Sequence, residues 1–335
     1  MRRSLHLALG VAISAVAVWF SMRGVSVPEV WKALTRANPW MFLGVMALAL
    51  GSFWVRALRW RSLLAGGRAI PLHSLFSATM IGFMTNNVLP FRLGEFVRPW
   101  VLARRERCST SMALATIVVE RVVDMLALLA ILGMTLLVHP IRPGSEAARL
   151  TQAGAGTLIA LTLGLTVLLV TVERMPGPSH RLIRWLGRRL PGGHGERVTR
   201  ALEHFLDGLG LFRDLPRLLW VLLLSLVLFG CFGVALQLSM LAFGLHLPWY
   251  AGFLLLVISA FAIMAPAAPG YIGTMNLACV AGLALFGVTN RDLTNSFSWF
   301  YWAAQWLPVT VVGLLYLRRE GLSLRSLDRL GEGGA

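Results

Sequence analysis

Three ionisable side chains fall inside an apolar segment of this chain, where they could receive a charged group or a proton. Glu120, Arg121 and Asp124 lie within residues 111–138, which otherwise have the composition of a membrane-crossing helix. In a helix, Glu120 and Asp124 would share a face, and Arg121 would lie three positions before Asp124. Since an ionisable residue at the centre of such a helix costs roughly 2.5–3.5 kcal/mol, all three must face protein or water.

The sequence leaves two interpretations of this cluster open. The first is a structural set of ion pairs that ties the helix to Arg92 or Arg98. The second is a polar site that binds a charged headgroup or a proton. In either case, further polar groups must come from another segment.

A break after an earlier apolar segment supplies such groups. Residues 72–84 are apolar enough for a membrane, yet Pro90 and Gly94 follow closely and would break a helix there. Non-helical backbone at membrane depth is tolerated only where protein or a water-filled cavity surrounds it. The stretch is therefore either an ordinary loop outside the membrane or a broken helix that lines a polar site. Its polar residues are Asn86, Asn87, Arg92, Glu95 and Arg98.

A second break separates the apolar segments 249–265 and 275–286. Its helix-breaking residues are Pro266, Pro269, Gly270 and Gly273. The default role of the mildly polar side chains nearby is to form hydrogen bonds between helices. These side chains are Gln237, Asn276, Asn295 and Gln305. Three tryptophans on one following helix are by default packing or interfacial residues, and they are Trp299, Trp302 and Trp306.

The composition excludes most other classes of protein. Hydrophobic residues make up 57% of the chain and charged residues only 14%, which indicates a polytopic α-helical membrane protein. The net charge is +16, but the arginines lie between apolar runs, as in cytoplasmic loops that contact anionic lipid headgroups rather than nucleic acid. Metal-ligand spacings, phosphate-binding glycine loops and nucleophile elbows are absent from the sequence, so we expect no metal and no cofactor.

The arginine distribution predicts the membrane topology. Basic residues flank segment 71–107 on both sides, which favours a cytoplasmic re-entrant hairpin with arms 72–85 and 95–105 and a turn at 86–93. The arginines after residue 55, Arg56 and Arg59 among them, are likewise assigned to the cytoplasmic side. Full crossings are predicted at 5–22, 40–55, 111–138, 154–172, 218–243 and 297–317, with surface helices at 25–38 and within 173–217.

The second break would enter from the opposite side of the membrane. Opposed broken helices of this kind occur in transporters built from inverted repeats. We therefore predict an all-α polytopic membrane helix bundle, with about six full crossings and two oppositely oriented re-entrant helical hairpins. Residues 1–320 are expected to form one transmembrane domain and 321–335 a polar cytoplasmic tail. Both termini are predicted to face the cytoplasm across the inner cell membrane.

Three motifs in this order resemble those of the lysylphosphatidylglycerol synthase transmembrane-region family, also called flippase-like membrane proteins. They are N-N-x-L-P-x-R-x-G-E-x-x-R at residues 86–98, E-R-V-x-D at 120–124 and P-x-x-P-G-x-I-G at 266–273. The resemblance extends over roughly residues 5–320, and its specificity comes from the combination of the three motifs in a hydrophobic context.

The resemblance implies movement of lipids between the two membrane leaflets. In the synthase, this region moves aminoacylated phosphatidylglycerol that a fused transferase domain makes, and we expect the present chain to resemble the stand-alone members. The family often has a glutamate shortly after the second break, where this chain has Asn276. If that glutamate carries a proton or pairs with a cationic headgroup, the role is altered here.

The residues and the resemblance together predict a lipid translocase, not an enzyme, with a polar cavity for the headgroup of an amphipathic phospholipid or glycolipid. The predicted substrate-binding residues are Asn86, Asn87, Arg92, Glu95, Arg98, Glu120, Arg121, Asp124 and Asn276, and the predicted backbone hinges are Pro90, Gly94, Pro266, Pro269, Gly270 and Gly273. One alternative is a membrane transferase that uses Glu120 or Asp124 as a general base on a lipid-linked substrate. Another is a non-transporting partner of a lipid-modifying enzyme.

Overall fold

The computed structural model describes residues 26–64, 70–89, 92–138, 214–264 and 269–324, together with Trp19, Leu327 and isolated residues between 156 and 203. Throughout these residues the regular structure is helical, with no strand, so the predicted all-α class is confirmed. The helices are α1 Val27–Arg36, α2 Pro39–Leu63, α3 Leu72–Val88, α4 Gly94–Glu106, α5 Thr110–Val138, α6 Leu215–Ala242, α7 Ala251–Met264, α8 Thr274–Ala284 and α9 Arg291–Arg319, with a 3₁₀ turn at Pro269–Tyr271.

Three of these helices are long and apolar enough to cross a membrane, namely α2, α6 and α9. They have 25, 28 and 29 residues, and a crossing takes about 20 residues. Helix α5 has the same length as α9 and carries the three charges at 120, 121 and 124. The predicted span 5–22 and the surface helix within 173–217 lie almost wholly outside the described residues. Of the predicted span 154–172, only isolated residues and short runs are described, and these are helical.

Helix α2 is longer than the predicted segment 40–55. It continues to Leu63, so Arg56 and Arg59 lie within the helix and are buried, and the prediction that they follow the end of this helix was wrong. The physical reason is that each guanidinium has a carboxylate partner on α5, which offsets the cost of burying its charge.

Helices α3 and α4 form an antiparallel hairpin. His73 Nδ1 lies 3.1 Å from Arg105 Nη2, which places the two open ends side by side. Near the tip the backbones touch at Gly82 and Gly94, where a side chain on either glycine would overlap the other helix.

The arms agree with the predicted hairpin, although Asn86 and Asn87 belong to the last turn of α3 rather than to the turn. Pro90 lies outside the described residues.

Helices α7 and α8 form a second hairpin. Leu255 on α7 packs against the bare backbone of Gly282 on α8, and the rings of Tyr250 and Phe286 at the open end are 6.1 Å apart. Near this open end, Gln237 on α6 donates from Nε2 to the Leu247 carbonyl at 3.0 Å. The tip therefore points away from the C-terminal end of α6.

The bundle has two ends of different composition. At one end Arg217 donates to the carbonyls of Ser62 and Leu63, at 2.5 and 3.0 Å, and Arg105 pairs with Glu320. This arginine-rich end holds the open end of the α3–α4 hairpin.

At the other end of the bundle the Asn38 amide donates to the Ala242 carbonyl at 3.4 Å. The Ser26 amide there donates to Asp292 Oδ1 at 2.8 Å. This end holds the open end of the α7–α8 hairpin. The two hairpins consequently enter the bundle from opposite ends, and their tips lie in its interior.

Candidate functional site

A cavity of about 430 Å³ lies between the tips of the two hairpins. Among the described residues, the charged side chains in its lining come from α2, the α3–α4 hairpin and α5, and they are Arg56, Arg92, Glu95, Arg98, Arg121 and Asp124. The residues contributed by α6 and α7 are almost all apolar, among them Phe229, Phe232, Leu256 and Ile263. One side of the cavity is thus charged and the other side is apolar.

Glu120 is the centre of an ion-pair network behind the charged wall. Its side chain is fully buried, and Oε1 lies 3.0 Å from Arg56 Nη1 and 2.7 Å from Arg59 Nη2. Oε2 accepts a hydrogen bond of 2.9 Å from Arg98 Nη1. A single carboxylate therefore joins α5 to α2 and to α4, and breaking a buried pair of this kind is costly because it leaves an uncompensated charge.

Asp124 extends the network towards the cavity. Its Oδ1 forms a close ion pair with Arg59, and Oδ2 lies 3.7 Å from Arg121 Nη1. Arg59 also donates to Ser225 Oγ on α6 at 2.6 Å. Arg121 lies 3.8 Å from Glu95, and both of these side chains are more than one third exposed.

Both of the buried arginines that line the cavity have N–H donors without acceptors. Arg98 uses Nη1 for Glu120, while its Nε and Nη2 are buried and have no hydrogen-bond partner. Arg56 Nε is also buried and has no hydrogen-bond partner. Their guanidinium groups lie over aromatic rings, Arg98 at 3.9 Å from the Trp60 centroid and Arg56 at 4.7 Å from that of Phe83. The rings attract the cations but do not satisfy their N–H groups.

An asparagine caps the helix that follows the first break. Asn86 Oδ1 accepts from the Gly94 amide at 2.8 Å, which satisfies one of the free N–H groups at the start of α4. Asn87 Nδ2 donates to Thr310 Oγ1 on α9 at 3.0 Å. Asn86 therefore joins the end of α3 to the start of α4, and Asn87 joins the tip of this hairpin to α9.

An asparagine likewise caps the helix after the second break. Asn276 Oδ1 accepts from the Gly273 amide at 3.2 Å, and Nδ2 donates to Ser298 Oγ on α9 at 2.9 Å. Gly270 and Gly273 have φ of 70° and 88°, which explains glycine at both positions. Asn276 is fully buried and is not among the cavity-lining residues.

The tips of the two hairpins lie against each other. A Cβ placed on Gly270 would lie 3.4 Å from the Asn87 carbonyl oxygen. Trp302 Nε1 donates to the Gly270 carbonyl at 2.8 Å and Trp306 Nε1 to the Asn87 carbonyl at 3.4 Å, so neighbouring tryptophans of α9 hold one tip each. Their rings stack with centroids 5.5 Å apart. The guanidinium of Arg92 lies 5.4 Å from the Tyr271 ring centroid and bridges the tips.

The structure brings seven of the nine predicted substrate-binding residues to the cavity wall. They are Asn86, Asn87, Arg92, Glu95, Arg98, Arg121 and Asp124. Glu120 lies directly behind this wall, and Asn276 caps its own helix. Of the predicted hinges, Gly94 and Gly270 line the cavity, whereas Pro90 and Pro266 lie outside the described residues.

Sequence reasoning missed Arg56 and Arg59, which hold the two carboxylates of α5. Their spacing of three residues places both on one face of a helix, and they are flanked by the apolar residues Phe53, Trp54 and Trp60. That pattern was a usable signal for two arginines within a helix rather than beyond its end. Of the two arginines proposed as ties to α5, Arg98 is paired with Glu120, whereas Arg92 lies over Tyr271.

Comparison with known proteins gives one match. The family model described as the lysylphosphatidylglycerol synthase transmembrane region matches residues 7–319, which is nearly the whole chain. Searches of curated proteins and of solved structures gave no match. On the extent of the family match, the chain belongs to the lysylphosphatidylglycerol synthase transmembrane-region family of membrane proteins.

Proposed function

We propose that this protein is a lipid translocase that binds the headgroup of an amphipathic phospholipid or glycolipid in the cavity between the two hairpin tips. The observation that supports this most strongly is the two-sided wall of that cavity, with arginines on one side and α6 and α7 side chains on the other. A headgroup with its first chain carbons has the same division into charged and apolar parts.

Each wall has a defined task in the proposal. Arg92 and Arg98 hold the phosphate, because a guanidinium binds phosphate oxygens through two parallel hydrogen bonds. The apolar wall receives the start of the chains, and the rest of the tails stays in the membrane. Movement of one hairpin against the other opens the cavity to each leaflet in turn, as in transporters with broken helices at the midplane.

The proposal includes an orientation in the inner cell membrane. The arginine-rich end of the bundle faces the cytoplasm, because positive residues are retained on that side. The α3–α4 and α7–α8 hairpins are then re-entrant from the cytoplasmic and outer sides, and about six segments cross fully.

The transferase alternative receives less support. A general base needs a carboxylate oxygen that is open to the substrate. Glu120 uses both oxygens for three arginines, and Asp124 has an arginine at each oxygen. Deprotonating a lipid-linked substrate would require one of these pairs to open.

Translocation is measured with the purified protein in vesicles that contain tail-labelled phosphatidylglycerol, by adding a membrane-impermeant quencher. Wild-type protein is expected to expose inner-leaflet label much faster than protein-free vesicles. Ala260→Trp, which fills the apolar side of the cavity, should abolish this gain, whereas Ala47→Trp on the exposed face of α2 should not. Wild-type flux equal to that of empty vesicles would contradict translocation and favour a non-transporting partner role.

The proposed orientation predicts which positions a membrane-impermeant thiol reagent reaches in spheroplasts. In a background without Cys108, Cys231 and Cys279, Arg104→Cys at the arginine-rich end should stay unlabelled until the membrane is permeabilised. Thr35→Cys on α1, at the other end of the bundle, should label at once. Immediate labelling of position 104 would reverse the orientation or remove the re-entrant hairpin.

A further inference from the structure

We propose that the cavity selects lipids whose headgroup has a net negative charge and discriminates against headgroups that carry an added amino group. This inference rests on the proposed function and specifies its substrate class. It is carried by the charge balance of the cavity, by the engagement of its carboxylates and by the open donors of its arginines.

The charge balance around the cavity is positive. Five guanidinium groups and three carboxylates lie in or directly behind its wall among the described residues. The cations are Arg56, Arg59, Arg92, Arg98 and Arg121, and the anions are Glu95, Glu120 and Asp124. A headgroup with a net negative charge reduces this excess, whereas a cationic headgroup adds to it, and like charges brought together at a desolvated site oppose binding.

The carboxylates that an amino group would need are already engaged. Both oxygens of Glu120 lie within 3.0 Å of arginine nitrogens, and its side chain does not reach the cavity surface. Asp124 is held by Arg59 and Arg121. An ammonium group would have to displace an arginine that remains buried and would then be unpaired.

Glu95 is the carboxylate of the cavity that is held least tightly by an arginine. Its side chain is 37% exposed and its contact with Arg121 is 3.8 Å long, so it is the carboxylate most accessible to an ammonium group. The inference therefore requires that Glu95 does not recruit cationic lipids.

The guanidinium donors provide the positive selection. Arg98 and Arg56 line the cavity with side chains only 3% and 7% exposed, and both keep buried N–H groups without acceptors. Buried donors of a charged group are costly to leave unpaired, and phosphate oxygens are their natural acceptors. A headgroup phosphate would complete the hydrogen bonding of side chains that the protein already holds in place through Glu120.

The test is competitive lipid binding by the full-length protein. Purified protein is equilibrated with equal amounts of phosphatidylglycerol and lysylphosphatidylglycerol in zwitterionic detergent–lipid micelles, and retained lipids are counted by native mass spectrometry. We expect phosphatidylglycerol to be favoured by about tenfold or more. Arg92→Gln should lower that ratio, whereas Arg104→Gln, the same charge change at an exposed position of the same hairpin, should not.

Two results would overturn the inference. One is equal or greater retention of the lysyl lipid by the wild type. The other is retention of the lysyl lipid that disappears in Glu95→Gln, which would identify Glu95 as its receptor. The assay reads binding without transport, so a tenfold preference in a protein that gives no flux would support charge selection while refuting translocation.

Discussion

Glu120→Gln is expected to destabilise the protein by about 3–5 kcal/mol, more than removal of either carboxylate that lines the cavity. The substitution keeps the size of the side chain but leaves Arg56, Arg59 and Arg98 buried around a neutral group. Removing one partner of a buried ion pair costs this much because the remaining charge has been taken from water without compensation. The loss should appear as a lower unfolding midpoint in detergent, followed by tryptophan fluorescence.

The matched control is Glu95→Gln, the same change on the neighbouring hairpin. Glu95 is partly exposed and its arginine contact is 3.8 Å, so its removal should cost no more than about 1 kcal/mol. A double variant, Glu120→Gln with Arg98→Leu, should recover part of the stability, since it also removes one of the stranded cations. Equal shifts for Glu120→Gln and Glu95→Gln would show that Glu120 is not the centre of the network.

Gly94→Val is expected to prevent the α3–α4 hairpin from closing. A Cβ at this position would overlap the carbonyl oxygen of Gly82 and come within 2.6 Å of Asn86 Oδ1. The two backbones would have to separate, and both the Asn86 cap and the tip contact with Gly270 depend on that closure. We expect a loss of at least about 3 kcal/mol, with little folded protein recovered and no translocation.

Two other Gly→Val variants provide a comparison for the effect of Gly94→Val on folding. Gly273→Val places a branched side chain at φ 88° and should be damaging through backbone strain. Gly164→Val has no atom of the described residues within 4 Å of its new Cβ and should be tolerated. Folded yield by size-exclusion chromatography ranks the three, and a Gly94→Val protein as stable as Gly164→Val would rule out the close backbone contact.

The sequence was informative about the hairpins because breaks in apolar segments are local signals. Proline and glycine disfavour the interior of a helix by their own backbone chemistry, so the arms of both hairpins could be predicted to within a few residues. The charged residues of α5 were identified for the same reason, since their insertion is expensive wherever they lie.

Long-range partners could not be predicted in the same way. Arg56 is buried because Glu120, 64 positions later, pairs with it, and Trp302 is fixed by the Gly270 carbonyl 32 positions earlier. Arginine near the end of an apolar run also has an ordinary explanation as a cytoplasmic anchor, which hid the true length of α2. Tryptophans on a membrane helix have a default interpretation as packing or belt residues, which hid their contacts with the two tips.

Asn276 was predicted to bind substrate, but its contacts in the structure are structural. Asn276 provides an acceptor for the Gly273 amide without adding a charge. Its amide nitrogen adds a hydrogen bond to Ser298 that a carboxylate could not donate. Asn276 therefore caps the helix after the second break and ties it to α9, and it does not contribute to the cavity wall.

The most direct test of the account is to locate a bound headgroup with a photoreactive anionic phospholipid whose diazirine is on the headgroup. After irradiation of the reconstituted protein, peptide mass spectrometry should place adducts on cavity residues such as Arg92, Tyr271 and Trp302, and excess unlabelled phosphatidylglycerol should suppress them. Adducts confined to outward-facing side chains such as Leu219, Val234 and Val311 would contradict binding between the hairpin tips.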